Sequence, residues 1–394
     1  MTTYQVDGFE FAGIAAGIKK RGGLDLGLIA ARGGAKVAGV FTQNLVRAAP
    51  VTLCHQRVQA GEARAVLVNS GNANACTGEP GLQAARDTTQ VVASALGVDP
   101  AQVLPCSTGV IGQLLPTQRI AEHAAALVQA LSPEADAFSE AILTTDRFPK
   151  VVSTTFDTTL GPARLLGIAK GAGMIHPQLM DGLPQATMLS YLLTDAQAPS
   201  EALRRALIAA SKHTFDACSV DGDTSTNDTV LLLASGRRGE PRAGALEAAL
   251  DEVCRELARL MARDGEGAEH SVDITVTGLA SDAEARQVAT VISTSLLVKT
   301  ALFGRDPNWG RLLAAAGRAG VPFDPARARI QIGEALVCDQ GMATGGDAEA
   351  RATAVMQAEH YGITVSLGDG PGRFTYTTCD LGHGYVDVNA GYRS

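Results

Sequence analysis

The grouping of the apolar residues along this chain limits the folds that it can adopt. In the first half they form short runs of strand length, broken by glycine, asparagine and proline. Four such runs are each predicted to be a strand: Leu26–Ala31, Val37–Phe41, Val51–Cys54 and Ala65–Asn69. Apolar runs of this length, bounded by turn-forming residues, are typical of buried strands. A sheet of such strands needs helices to cover it.

Helical periodicity supplies those covering elements. The apolar residues between Gly81 and Gly97 recur at helical spacing, and so do those between Leu246 and Leu260. Ser200 is predicted to cap a third helix, which reaches His213. Residues 272–276 alternate as in a half-buried strand. Helices mixed with strands predict an α/β or α+β layered fold.

Composition and charge exclude several classes of protein. Of the 394 residues, 46% are apolar and only 4% aromatic, and 43 are glycine, which favours close packing of small side chains in a sheet-rich interior. The formal charge of −8 offers no basic face for nucleic acid. No apolar run reaches the roughly 18 residues of a membrane span, and no signal peptide is apparent. We therefore expect a cytoplasmic protein without a nucleic-acid or membrane partner.

The cysteines and histidines give no sign of a metal site. The seven cysteines are scattered and never form C-x-x-C, so reduced thiols in the core or on strands are the simplest interpretation. The seven histidines show no H-E-x-x-H pattern. We expect no metal and no resident cofactor.

Three glycine-rich or acidic segments resemble binding loops only weakly. Gly171–Gly173 satisfies neither the dinucleotide fingerprint nor the P-loop, because a further glycine is missing and Lys170 precedes the glycines. Arg164–Ala169 matches a degenerate turn of acetyl-CoA-dependent acetyltransferases. The acidic run Asp221–Asp228 lacks the bidentate glutamate of a calcium loop, which favours a structural or site-lining turn.

Thr187 can be interpreted in two ways. Ala186 and Thr187 open the sequence A-T-M-L, which on pattern alone is the start of a buried helix. The alternative is that the chain is cut between Ala186 and Thr187. The new α-amino group, with a reference pKa of about 7.7–8.0, would then be a base beside the threonine hydroxyl. An acyl intermediate on that hydroxyl would need an oxyanion hole, and Pro105–Gly112, predicted to be a turn rich in hydroxyls and glycine, offers the donors.

Eight segments in order along the chain carry a resemblance to a known family, the ornithine acetyltransferases, also called glutamate N-acetyltransferases or arginine biosynthesis bifunctional proteins. The segments are S-T-G-V-I-G at 107–112, T-T-D at 144–146, K-G-A-G-M-I at 170–175, A-T-M-L at 186–189, D-G-D-T-S-T-N-D-T at 221–229, R-D-G-E-G-A at 263–268, G-R-D-P-N-W-G-R at 304–311 and the tail 389–394. Together they span nearly the whole chain and favour the second interpretation of Thr187.

The resemblance implies the fold and the site. The fold would be an αββα layered sandwich of the N-terminal-nucleophile type with a smaller C-terminal α/β domain at about residues 280–394. Self-cleavage between Ala186 and Thr187 would give an α chain, 1–186, and a β chain, 187–394, assembled as two of each. The implied roles are nucleophile for Thr187, oxyanion hole for Thr108 and Gly109, and substrate binding for Thr144, Lys170, Thr187, Glu266, Asn389 and Ser394. Gln178–Gln185 is longer than the family pattern, so we expect an altered loop before the scissile bond.

The implied reaction moves an acetyl group from N-acetylornithine to glutamate through acetyl-threonine, with acetyl-CoA as an optional second donor. Lys170 suits a substrate carboxylate and Glu266 suits an ammonium group. Two alternatives stay open: an N-terminal-nucleophile aminopeptidase or amidase, in which water replaces glutamate, and an uncleaved amino-acid-binding sensor.

Overall fold

The computed structural model describes residues 4–176 and 188–391 of the chain. These residues divide into two compact units. The first takes the described residues up to Asp216 together with Asp223–Leu257, and the second takes Ala217–Gly222 and the described residues from Ala258 onward.

Strands and helices alternate through both units. The strands are β1 (Glu10–Ile14), β2 (Leu26–Phe41), β3 (Glu62–Asn72), β4 (Val103–Val110), β5 (Lys150–Thr158), β6 (Gly161–Lys170), β7 (Leu189–Thr194), β8 (Cys218–Ser219), β9 (Thr229–Ala234), β10 (Ser271–Gly278), β11 (Arg329–Ile332), β12 (Ala335–Asp339), β13 (Met342–Ala343), β14 (His360–Ser366) and β15 (Gly370–Cys379). The α-helices are α1 (Ala49–Val58), α2 (Gly78–Leu96), α3 (Thr117–Gln129), α4 (Asp136–Ala141), α5 (Ser200–His213), α6 (Ala245–Arg263), α7 (Asp282–Ser293), α8 (Leu296–Phe303), α9 (Trp309–Gly317), α10 (Ala348–Val355) and α11 (His383–Gly391).

The sheet of the first unit is folded at the long strand β2. Within the described residues its order is β4-β3-β2-β9-β7-β6-β5, and β1 also pairs with β2. Leu26–Ala30 of β2 pair with β3 on one side and β1 on the other. After a register shift, Ala35 and Lys36 still pair with β3, and Lys36–Phe41 pair with β9 in place of β1. A strand that leaves one partner for another at a bulge turns a corner between packed sheets. The bend of β2 therefore divides one hydrogen-bonded sheet into two layers.

The core of the first unit lies between these two layers. Val66 and Val68 of β3 belong to the same buried cluster as Leu166 and Ile168 of β6. The alternate residues face outward: Leu67 packs in a second cluster with residues of α2 and α3. On the other layer, helix α6 packs so closely on β6 that a side chain at Gly167 would collide with Val253 and Leu257. Helices outside two stacked layers of strands confirm the predicted αββα sandwich.

The second unit is a smaller mixed α/β body. Its strand order in the described residues is β13-β12-β11-β14-β10-β15-β8. Helices α7, α9 and α10 contribute buried residues to its core, among them Val288, Leu312 and Ala352. Apart from Ala217–Gly222, the unit begins at Ala258, before the boundary predicted near residue 280, because β10 is a central strand paired with both β14 and β15. The division into chains 1–186 and 187–394 stays a prediction.

Two local predictions, a strand at Val51–Cys54 and a cap at Ser200, are wrong, and two predicted strands belong to one longer strand. Val51–Cys54 lies in helix α1, where Pro50 occupies the first turn, a position that suits proline because its missing N–H has no helical partner there. The predicted strands Leu26–Ala31 and Val37–Phe41 are two arms of β2. Ser200 does not cap α5, because it is the first helical residue and its hydroxyl donates to the Gly61 carbonyl.

The predicted reduced thiols are confirmed. All seven cysteines fall in the described residues and are free, and Cys76 alone is exposed. None of the helices in the described ranges combines the length and apolar character needed to cross a bilayer.

The bend of β2 gives a test of the fold. Gly34, in the stretch between the two arms, has φ +85, and a Cβ there would meet nothing closer than 3.5 Å, so only backbone strain opposes a side chain. Gly34→Ala should lower the stability of the fold by about 1–2 kcal/mol. Gly33→Ala is the control, because it requires no left-handed backbone and its Cβ meets only the flexible end of Arg237. Equal midpoints of thermal unfolding for the two variants would contradict this account of the bend.

Candidate active site

Lys170 is the buried cation at the centre of the candidate site. It is the last residue of β6 and is 2% exposed. Its Nζ donates to the Oγ1 of Thr144 at 2.9 Å and to the Oγ1 of Thr108 at 3.4 Å. An ammonium group has three N–H donors, so its hydrogen bonds to the described residues leave one donor for a ligand.

Asp146 holds this cation in place. Its buried carboxylate lies 3.7 Å from Lys170 Nζ and accepts a hydrogen bond from Lys150 Nζ at 2.8 Å. It also accepts the backbone N–H groups of Gly171 and Thr144. Burial by itself would raise the pKa of Asp146, but the charges of Lys170 and Lys150, with the hydrogen bonds from Lys150 and the Thr144 amide, hold it well below its usual value. Asp146 is therefore ionised at neutral pH.

Thr108 and Gly109 lie at the end of a strand. Pro105–Gly112 was predicted to be a turn, but residues through Val110 belong to β4, which runs parallel to β3 and has a bulge beside Asn72. Gly109 has φ +128, and a Cβ there would lie 2.4 Å from the Gly71 backbone. Only glycine permits this close approach of the two strands.

The hydrogen bond between Lys170 and Thr108 determines what the Thr108 hydroxyl can do. A lysine ammonium can only donate, so Thr108 Oγ1 is the acceptor and its own O–H remains available to donate to a third group. Thr144 differs, because its hydroxyl accepts from Lys170 and donates to Asp146 at 3.4 Å. Thr108 can therefore supply a hydrogen bond to a developing oxyanion, whereas Thr144 orients the lysine.

Asn227 ties the two layers together beside these residues. Its Nδ2 donates to the carbonyls of Ala73 at 2.6 Å and Ser107 at 2.8 Å. Asn227 belongs to the acidic run 221–228, which directly precedes β9. The Asn227 amide thus fixes the end of β4 next to Thr108.

Glu266 and Asn389 form a pair in the second unit. Asn389, on α11, donates from Nδ2 to Glu266 Oε2 at 2.8 Å and to the Tyr385 carbonyl at 3.0 Å. Glu266 is partly exposed. Two predicted binding residues that are far apart in sequence thus contact each other, and their roles toward substrate stay predictions.

Some predicted site residues lie outside the described part of the chain. These are Ala186, Thr187, Ser394 and the whole of Gln178–Gln185. Leu189, two residues after Thr187, begins strand β7, so the interpretation of A-T-M-L as the start of a buried helix is wrong. Arg164–Ala169 is likewise no turn, because it lies within β6.

Sequence reasoning missed two residues that organise the site. Asp146 is the third residue of T-T-D, yet only Thr144 was given a role, and Asn227 was included only in a turn. An acidic residue four positions before Lys150 was the available signal for an ion pair. In the described ranges no group of three or more His, Cys, Asp or Glu residues could hold a metal ion.

A sandwich with hydroxyl and amide donors beside a buried cation defines an acyl-transfer class of site for a small charged molecule. A model of the ArgJ family matches residues 10–394, and the chain belongs to this family. It is 46% identical to the arginine biosynthesis bifunctional protein ArgJ of Geobacter sulfurreducens over 99% of this chain and 100% of that protein. The arginine biosynthesis bifunctional protein ArgJ of Synechocystis sp. is 44% identical over 98% of this chain and 96% of that protein.

Two solved structures are also similar in sequence. The arginine biosynthesis bifunctional protein argJ of Bacillus halodurans is 40% identical, covers 50% of this chain and 96% of its own, and has a TM-score of 0.48. The ornithine acetyltransferase of Mycobacterium tuberculosis complexed with ornithine is 38% identical. The match covers 44% of this chain and 94% of that chain, with a TM-score of 0.40.

Loss of the Asp146 carboxylate should destabilise the fold in a pH-dependent way. Asp146→Asn removes the carboxylate that pairs with two buried lysines, which costs about 3–5 kcal/mol near neutral pH. Because folding lowers the pKa of Asp146, its contribution is complete above the unfolded value of about 3.9 and is lost as the pH falls through the folded value. Urea unfolding from pH 7 to acid measures the difference from the native sequence, which should shrink below about pH 4.

The control is Asp251→Asn, which removes an exposed ion pair with Arg255 and should cost at most about 1 kcal/mol. A loss of the same size for both variants would mean that Asp146 has no special place in the fold.

Proposed function

We propose that this protein is a self-processing acetyltransferase of arginine biosynthesis that moves acetyl from N-acetylornithine to glutamate through acetyl-threonine. The observation that carries the proposal is the meeting of Thr108, Gly109 and Lys170 at the strand ends beside β7, whose chain leads back to Thr187. Membership of the ArgJ family supports the same reaction.

The donors suit the charge that develops in acetyl transfer. When the Thr187 hydroxyl attacks the acetyl carbonyl, the oxygen becomes negative, and the Thr108 O–H with the Gly109 N–H supplies hydrogen bonds to it. Such fixed donors act on the transition state and require no rearrangement. The acetyl-threonine then passes its acetyl group to the amine of glutamate.

Charged groups give the site its substrate preference. Lys170, with one remaining donor, takes a substrate carboxylate, while Glu266, oriented by Asn389, takes an ammonium group. Thr144 and Ser394 complete the proposed contacts. Ornithine and glutamate derivatives carry these groups, which favours the transferase over a general amidase.

The proposal extends to processing, assembly and location. Cleavage before Thr187 gives two chains, and we propose an assembly of two copies of each. Acetyl-CoA is a second donor, since curated relatives are bifunctional proteins. Seven free cysteines suit the reducing cytoplasm.

Acetyl exchange tests the reaction directly. The purified protein is incubated with N-acetylornithine, with and without glutamate, and products are measured by mass spectrometry. N-acetylglutamate should form only when glutamate is present, and without glutamate no more than one ornithine per enzyme should be released. The matched variant Thr187→Ala should stay one chain on a denaturing gel and form neither product.

The other functions predict different products. An amidase would release acetate from N-acetylornithine at the same rate without glutamate. A sensor would stay uncut and yield no product. Either result would contradict the proposed transfer.

Thr108→Ala tests the oxyanion hole. Loss of one donor to the developing charge should lower kcat on the order of 10²–10³-fold, with little change in KM because the hydrogen bond forms chiefly in the transition state. Thr155→Ala, an exposed threonine on β5, is the control and should leave kcat unchanged. A raised KM with unchanged kcat would make Thr108 a binding residue.

A further inference from the structure

Two segments of the second unit contact each other around the Glu266–Asn389 pair. The first, residues 264–270, joins α6 to β10, and the second, residues 380–391, follows β15 and contains α11. Glu266 lies on the first segment and Asn389 on the second, and their hydrogen bond of 2.8 Å is one contact between them. The position of the Glu266 carboxylate therefore depends on what else holds the two segments together.

Asp380 holds the segments together at the start of the second one. Its Oδ1 accepts two consecutive backbone N–H groups, from Glu269 at 3.0 Å and from His270 at 2.8 Å. Its own N–H donates to the His270 carbonyl at 3.2 Å. Asp380 is 1% exposed, and a buried N–H that loses its acceptor pays the full cost of its lost hydration. Three hydrogen bonds from one residue thus fix the backbone three positions after Glu266.

A contact between two glycines sets the distance between the segments. A Cβ at Gly267 would lie 2.2 Å from both the carbonyl carbon of Gly384 and the nitrogen of Tyr385. A Cβ at Gly384 would lie 2.9 Å from the Cα of Gly267. Both distances are too short for atoms that are not bonded to each other, so only glycine permits this approach of the two backbones. Any side chain here would push the segments apart.

The charge of Glu266 is available to a ligand. In the described ranges Asn389 donates to its carboxylate, and no cation forms an ion pair with it. Glu269 differs, because Arg305 Nη2 lies 2.8 Å from its Oε2. A carboxylate that is oriented by a neutral amide keeps its negative charge for a cationic group, and hydrogen bonds between charged partners are the stronger ones.

We propose that Asp380 is a positioning residue for the recognition of the side-chain ammonium of the acetyl donor. This inference rests on the proposed function, in which Glu266 binds the ammonium group of N-acetylornithine. Asp380 does not itself touch the substrate. It fixes the backbone at residues 269–270 against the second segment, and this holds Glu266 where Asn389 and the ammonium can both reach its carboxylate. Because hydrogen bonds weaken steeply when their geometry is lost, a displaced Glu266 no longer selects a cationic donor.

Two acetyl donors separate this role from a general loss of structure. N-acetylnorvaline has the carbon chain of N-acetylornithine but no side-chain ammonium. The donor preference is the ratio of kcat/KM for N-acetylornithine to kcat/KM for N-acetylnorvaline, both measured with glutamate as the acceptor. Unfolding of part of the protein lowers both values equally, so it leaves this ratio unchanged. The native enzyme should show a donor preference on the order of 10–10², and Glu266→Gln should lose most of it.

Asp380→Ala should lower the donor preference on the order of tenfold, because two backbone N–H groups lose their acceptor. Asp380→Asn keeps Oδ1 as an amide oxygen and should retain most of the preference. Asp282→Ala is the control, because the Asp282 Oδ1 also accepts a backbone N–H, from Arg373, but Asp282 lies on α7, outside both segments. This control should have the native donor preference.

Gly384→Ala tests the same link without removing a hydrogen-bonding group. The added Cβ displaces α11 from the Gly267 backbone and should also lower the donor preference. Gly317→Ala, on α9, is its control, because no atom lies within 4 Å of the added Cβ, and it should leave the preference unchanged. The Gly384 variant decides the matter if Asp380→Ala fails to fold.

A native donor preference in both Asp380→Ala and Gly384→Ala, with a lost preference in Glu266→Gln, would overturn the proposal. Equal losses of kcat/KM on both donors in these two variants would also overturn it, since Asp380 would then have only a structural role. Absence of acetyl exchange in the native enzyme, or an unchanged donor preference in Glu266→Gln, would instead overturn the proposed function.

Discussion

The interaction on which the site depends is the ion pair between the buried Asp146 carboxylate and Lys170. A lysine that is 2% exposed would be unstable without a fixed anion. Asp146 supplies that anion and is itself held by Lys150 and by two backbone N–H groups. The pair fixes the ammonium group where it can meet Thr108 from the opposite layer of the sandwich.

The bend of β2 makes that meeting possible. Its first arm pairs with β3, which carries β4 and Thr108, while its second arm pairs with β9, which leads through β7 to β6 and Lys170. In a flat sheet these strand ends would lie several strands apart. Folding the sheet at β2 brings both ends to one place, and Asn227 joins them. The chemistry of the site thus follows from one corner in one strand.

The sequence allowed the layered class, strands β2, β3 and β10, and helices α2, α5 and α6 to be predicted, because apolar runs and helical periodicity report burial directly. The two arms of β2 were predicted as separate strands, since a bend between layers leaves only a glycine pair as its mark. Helix α1 was missed because a short apolar run fits either structure. The motifs predicted Thr108 and Lys170, but the pairing of Lys170 with Asp146 depends on a contact between separate segments, which no local pattern encodes.

The central claim of this account is that acetyl passes through the threonine at residue 187. It is tested most directly by mixing the native enzyme with N-acetylornithine in the absence of glutamate, quenching rapidly and measuring the intact masses of both chains. The 187–394 chain should gain one acetyl group, and fragmentation should locate that group on Thr187. Added glutamate should remove it. An unmodified 187–394 chain during active exchange, or an acetyl group on another residue, would contradict the account.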